Sequence, residues 1–281
     1  MLIQKLAKVQ LLDSVCLTFK DKLMPNENFQ NENFLNIFGK ICFILMILLI
    51  LKSMFQDIIF RIQYSFPSIS TTTSNPIDTS KDPLQQNLIQ RQIIKYQGDK
   101  DAYGLETFAT YSISGMVVAK NTNFWFRDID KSLFDDVALM DVGLAWGDWA
   151  NENTIKKNAK FKSSKTLGSA RMLETSALPS HTIAFDYMRE HSSHTHLIPK
   201  DINVMSALLT LHKYENVKLD GYLVDVLLPK GYTAYTSDTR DDTDPTSRGI
   251  QILMDENSAG GGGSCEIMYV TQVQIGNNIY R

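Results

Sequence analysis

The apolar run over 41–51, ICFILMILLIL, bounded by Lys40 and Lys52, is the strongest constraint in this sequence. A helix rises ~1.5 Å per residue and a bilayer's hydrocarbon core is ~30 Å thick, so the run alone reaches about halfway across. Its flanks continue the apolar character, with Phe34, Leu35, Ile37 and Phe38 before it and Met54, Phe55, Ile58, Ile59 and Phe60 after it. One helix from Phe34 to Phe55 is long enough to span. Lys40 and Lys52 then carry their ammonium groups toward the two interfaces while their methylene stems stay in lipid. The sequence therefore predicts a single transmembrane anchor at 34–60, with the lipid bilayer as its partner.

A cleaved signal core, a buried soluble helix and an interfacial helix are the competing readings. The long stretch ahead of the run, with no small-x-small site close behind it, speaks against cleavage. Lys22 and Lys40 balance Lys52 and Arg61 nearby, while Lys5, Lys8 and Lys20 lie farther upstream. That pattern leans toward a cytoplasmic tail (1–33) and a C-terminal part outside the cytoplasm, a single-pass membrane protein. Residues 61–83 read as a linker: nine of the nineteen residues at 65–83 are Ser or Thr and three are Pro. Such a segment buries too little apolar surface to offset its chain entropy, so it is expected to act as a tether.

Residues 84–281 carry ordinary globular composition, in a chain that is 43% hydrophobic, 21% charged and −3 in net charge. Within them 20 Lys/Arg face 24 Asp/Glu, a balance that speaks against nucleic acid as a partner, since phosphate contacts need clustered positive charge. With Cys16 and Cys42 in the tail and anchor, Cys265 has no evident mate, and no disulfide framework is expected. The periodicity of LQQNLIQRQIIKY (84–96) predicts a short amphipathic helix through Leu84, Leu88, Ile89 and Ile93. Strands are predicted at 110–120, 136–147, 217–228 and 265–275, rich in Val, Ile and Tyr, with Gly115, Gly143 and Gly221 placed for bulges or bends. Asp201 opens a helix through Ile202, Met205, Leu208 and Leu209, and Gly276-Asn277-Asn278 turns the chain end back as a hairpin. The fold class is mainly β (α+β): a small OB-like or related barrel, or a sandwich, with one or two helices behind a single N-terminal transmembrane helix.

Several of these segments carry a resemblance. Tyr111 to Val118 (YSISGMVV), His196-Leu197-Ile198-Pro199, Gly221-Tyr222-Leu223-Val224 and Cys265 to Val270 (CEIMYV) resemble motifs of a family of uncharacterised bacterial membrane-anchored or secreted proteins. In that family, strands of the type YxLxGxVV, GxLV and CE[IV][IM]YV flank an HLIP segment leading into a helix. The resemblance covers most of 110–275 and implies an envelope address without an activity. This chain departs from the pattern at 244–263, which separates the Arg240-Asp241-Asp242-Thr243 stretch from Cys265.

The chemical candidates are few. HSSHTH places His191, His194 and His196 close together, and imidazole is the commonest zinc ligand; a catalytic zinc needs three protein ligands and one open position. The spacing is not that of a zincin helix, yet in an extended segment His194 and His196 share a side. Cys265 is a conceivable thiolate but starts an apolar strand, where a cysteine packs. The glycines at 260–263 lack the Lys-Ser/Thr of a phosphate loop, and DTRDDTD (238–244) lacks the glycine and terminal glutamate of a calcium loop. Lys156, Lys157, Lys160, Lys162 and Lys165 with Phe161 form a basic stretch suited to a solvated loop or to anionic headgroups. Phe124, Trp125 and Phe126 belong to the expected core, and Trp146 and Trp149 either join it or line a binding groove.

Two functions follow. The first is a membrane-tethered, extracytoplasmic binding or structural module that contacts another envelope protein, uses no cofactor and does no covalent chemistry. The second is a metal-dependent hydrolase with zinc on His191, His194 and His196.

Overall fold

A computed structural model of the chain describes residues 39–48, 51, 66–98, 101–122, 134–165, 171–229, 233–234 and 265–281. The chain divides into two units, Met1–Arg61 and Ile62–Arg281. In the first, residues 39–48 and 51 are helical, and Ile41, Phe43, Ile44, Leu45 and Leu48 are exposed. Among the described residues no helix is long and apolar enough to cross a membrane. The flanks that would complete the expected span at 34–60 lie outside the described residues.

The second unit is mainly β. Its frame is β4 (Ala102–Thr122), a strand of 21 residues with buried side chains along most of its length. With it come β5 (Met140–Ala145), β8 (Ser192–Pro199), β9 (Asn216–Leu227) and β11 (Cys265–Ile275). β4 pairs antiparallel with β5 and β9, and β5 antiparallel with β8. β8 runs parallel to β11, which pairs antiparallel with β9. The five strands thus close a ring. Every strand of the ring contributes to one apolar interior, including Tyr111, Ile113, Val142, Leu197, Leu219, Met268 and Val270. Alternation along a strand sends every second side chain inward, which is why Met140, Val142 and Leu144 of β5 share this cluster.

The helix α3 (Ile202–Thr210), between β8 and β9, packs Val204, Ala207 and Leu208 into the same interior. Asp201 caps it, its Oδ1 accepting from the Val204 N–H at 2.9 Å. At the other end Lys120 of β4 donates from Nζ to the carbonyls of Leu209 (2.9 Å) and Leu211, where the helix dipole favours a cation. Burial pushes the Lys120 ammonium below its ordinary value.

The strands expected at 110–120, 217–228 and 265–275 are present, and β5 occupies the middle of the expected 136–147. The hairpin is present too: β12 (Asn278–Tyr280) returns along β11 through Gly276 at φ +55°. Bulges bend the ring opposite two of the three glycines singled out, Gly143 and Gly221, whereas Gly115 pairs with Val217 without a shift of register. Val118 is an extra residue opposite Leu144 and Gly143, and Thr271 is an extra residue opposite Asp220 and Gly221. At Gly221 the two backbones nearly touch, since a Cβ there would lie 2.0 Å from the Tyr269 carbonyl oxygen.

Two expectations are corrected. The segment 84–96 is not a helix but two strands, β2 (Leu84–Asn87) and β3 (Ile93–Gln97), each antiparallel to β4. Leu84, Ile89 and Ile93 remain exposed, so the backbone bonds offered by the long β4, rather than burial of a helical face, decide the conformation. The Ser/Thr-rich stretch is also no free tether over its described part. β1 (Thr71–Thr72) pairs with β12, the Ser68 N–H donates to Asn203 Oδ1 at 2.7 Å, and Gly147 N–H donates to the Thr79 carbonyl at 2.8 Å. Poor in apolar residues, the segment is held by its backbone polar groups instead.

A satellite core lies beside the ring, where β6 (Ala159–Lys165) and β7 (Arg171–Ala177) form a separate two-stranded sheet. Here α1 (Glu152–Asn158) and α2 (Phe185–Glu190) pack Ile155 and Met188 against Trp149, Phe161 and Val118.

Gly221→Ala is expected to destabilise the fold by about 1–3 kcal/mol, as overpacking between two strands does. Urea unfolding of the full chain in detergent checks this, and a variant as stable as the parent would refute the close approach. Donation from the Ser80 hydroxyl and N–H, then from Lys81, holds the Asp78 carboxyl at about 2 instead of 3.8. A carboxylate shifted down contributes stability that is complete above pH 3.8 and is lost as the pH falls toward 2. Carboxyl NMR titration should show Ser80→Ala raising the Asp78 midpoint toward the ordinary value; an unmoved midpoint would exclude Ser80 as the cause.

Candidate functional site

All eight residues of β8, SSHTHLIP, are buried, which is unusual for a strand with five polar side chains. Alternation sorts them into two sets. Ser193, Thr195 and Leu197 share the inward face, while His194, His196 and Ile198 face outward, Ile198 joining Val137, Ala138, Ile267 and Val224.

The inward set is a hydrogen-bonded chain around Glu266 of β11, which lies directly across from Thr195. The Tyr111 hydroxyl donates to Glu266 Oε1 at 2.8 Å, the Thr195 hydroxyl to Oε2 at 2.9 Å, and the Ser193 and Thr195 hydroxyls lie 3.1 Å apart. One carboxylate so joins β4, β8 and β11 inside the ring. Each of its oxygens is satisfied, the condition under which a buried acid is tolerated.

The outward set meets Asp141 of β5, the antiparallel partner of His196. His196 Nδ1 lies 2.7 Å from Asp141 Oδ1; a carboxylate only accepts, so Nδ1 carries the proton. The His194 and His196 rings are 4.7 Å apart at 64°, and Phe134 presents itself at 86° to His196 from 5.3 Å. Exposure is only 2% at Asp141, 4% at His194 and 7% at His196. One ligand atom from each of the three lies within 4.8 Å of the others, a donor set able to hold a metal ion.

His191, the third expected ligand, is not in this group. It follows α2 instead of lying in β8: Nδ1 is 2.9 Å from the Tyr187 carbonyl, and the ring stacks on Tyr187 at 3.8 Å and tilts against Trp146. Three residues from His194, it would face away from His194 and His196 even in an extended strand. Trp146 and Trp149 are buried, with Nε1 donating to Asp82 Oδ1 (3.0 Å) and to the His191 carbonyl (2.9 Å), so they are core residues and not an open groove. In the basic stretch, Lys156 pairs with Glu152 and sits 5.0 Å over the Tyr214 ring, while Phe161 is buried against Trp149. The Glu152 bond raises the Lys156 ammonium. Cys265 opens β11 in register with His194. Phe124, Trp125, Phe126, the acidic run 238–244 and the glycines 260–263 lie outside the described residues.

Sequence reasoning missed Asp141, Glu266, Thr195 and Tyr111. The signal was present in both acids: Asp141 stands alone in the apolar MDVGLA, Glu266 is the one charged residue of CEIMYVTQVQI, and a buried carboxylate must have a partner.

Compared with protein-family models, with curated proteins and with solved structures, the chain finds no match, so the family resemblance rests on the quoted motifs alone.

Glu266→Ala is expected to cost about 2–5 kcal/mol, because the buried Tyr111 and Thr195 hydroxyls both lose their acceptor. Glu266→Gln should cost less, since one carbonyl acceptor remains. Equal losses in the two variants, measured by urea unfolding, would show that the hydrogen bonds are not what matters at this position.

Proposed function

We propose that the chain is a membrane-tethered extracytoplasmic module, with an OB-type ring, that binds another envelope protein without covalent chemistry. The order of the ring supports the OB reading. Taking β4, β5, β8, β9 and β11 as its first to fifth strands, the order is first, second, third, fifth, fourth and back to the first. The third and fifth strands run parallel, and α3 connects the third to the fourth. OB barrels take extended ligands such as oligonucleotides across their second and third strands. Here the outward face of those strands, β5 and β8, carries the buried Asp141, His194 and His196, and the surplus of acids over bases in 84–281 disfavours phosphate chains.

The observation that carries the binding role is the edge formed by β2 and β3. Each pairs only with β4 among the described residues, and Leu84, Ile89 and Ile93 stand exposed along it. An open edge with apolar side chains suits strand addition by a protein partner. The apolar run at 41–51 and its flanks support the tether to the bilayer. A hydrolytic zinc on His191, His194 and His196 draws no support, since His191 is engaged with Tyr187 and Trp146 and the other two histidines are shut from solvent.

A photo-crosslinking residue at position 89 of the full chain, in native membranes that have been washed at alkaline pH, should give a discrete adduct with one envelope protein. Leu84→Lys with Ile93→Lys should abolish that adduct while leaving the melting temperature unchanged. Absence of any adduct from positions 84, 89 and 93 would overturn the edge reading, and release of the intact chain by the alkaline wash would overturn the tether.

A further inference from the structure

We infer that Asp141, His194 and His196 form a binding site for one divalent transition-metal ion of the zinc class, a structural ion that clamps β5 to β8. Two imidazoles at alternate positions of one strand project from the same face, and the antiparallel partner of one of them supplies the carboxylate. The fold, and not a loop, therefore sets the three donors side by side.

Distances fit next. Zinc held at ~2.0–2.2 Å by nitrogen and oxygen donors places its ligand atoms roughly 3.3 Å apart in a tetrahedron. The three donor atoms lie within 4.8 Å of one another, so shifts of about an ångström, within reach of side-chain rotation, place all three on one ion, the proton shared by His196 and Asp141 leaving as the metal binds and a water taking the fourth place. Two imidazoles and one carboxylate suit zinc; calcium and magnesium prefer oxygen-only shells.

Burial decides the role. Moving two imidazoles and a carboxylate out of water onto one dry face is costly. A bound cation turns the set into an electrostatic asset, with the Asp141 charge offsetting part of the ion's own. The Phe134 ring against His196 and the neighbouring Val137, Ala138 and Ile198 supply the apolar surround that fixes ligand orientation. Because Asp141, His194 and His196 are almost wholly shut from solvent, the fourth position is closed to a substrate and the ion contributes to folding. This inference is independent of the membrane tether and of the partner edge.

The test uses the full chain in detergent, stripped with chelator and titrated with zinc. One equivalent should bind, with a rise in melting temperature, and cobalt in its place should give visible absorption bands. His194→Gln and Asp141→Asn, close in volume to the parent residues, should weaken zinc binding by about 100-fold or more. His191→Ala should bind as the parent does. Circular dichroism of each variant without metal establishes that it folds, and if His194→Gln or Asp141→Asn fails to fold, the parent's stoichiometry and cobalt spectrum decide. No stoichiometric zinc in the folded parent, or binding that His191→Ala abolishes and His194→Gln preserves, would overturn the assignment.

Discussion

Closure of the ring depends on β4. Its 21 residues give it room to pair with β9 and β5 and also with β2 and β3, so that the strand opening the ring is also the one that ends it. A straight strand of that length cannot curve around a small core. The extra residues at Phe108 and Val118 bend it, and its register with β9 and β5 shifts at those points. The bend carries Lys120 to the far end of α3, where its ammonium reaches the helix's last carbonyls. The helix that plugs the ring is thus positioned by the strand that starts it.

Polar groups then act on both sides of one wall. Inside, Glu266 gathers Tyr111, Thr195 and Ser193, three strands joined by bonds that hydrophobic packing alone would not orient. Outside, Asp141 meets His196 and His194 beneath Phe134. The outward face of β5 and β8 is thereby taken up by internal contacts. Among the described residues β2 and β3 pair only with β4, and Leu84, Ile89 and Ile93 are exposed beside them.

How legible this was in the sequence depended on the range of the interaction. Asp201 as a helix cap, the Gly276 turn and the paired direction of His194 and His196 follow from contacts a few residues long, and all three hold in the structure. The helix expected at 84–96 failed because its apolar spacing is local evidence, whereas the vacant edge of β4 is a distant partner. His191 lies apart from the other two for a local reason that the spacing does show: three residues before His194, it falls on the other side of any extended strand, and β8 begins only at Ser192. Asp141, fifty-five residues from His196, entered the site through pairing that no short window contains.

By itself the sequence determined a mainly β body behind an apolar segment, because alternation, β-branched content and a run of lipid-compatible residues are properties of neighbouring positions. Tertiary structure alone decided which strands close the ring, which acid meets which histidine, and that the Ser/Thr-rich stretch at 66–83 lies bonded to the domain. Those outcomes turn on hydrogen bonds and burial between segments far apart in the chain. Their energies exceed local preference, and their partners cannot be read from spacing.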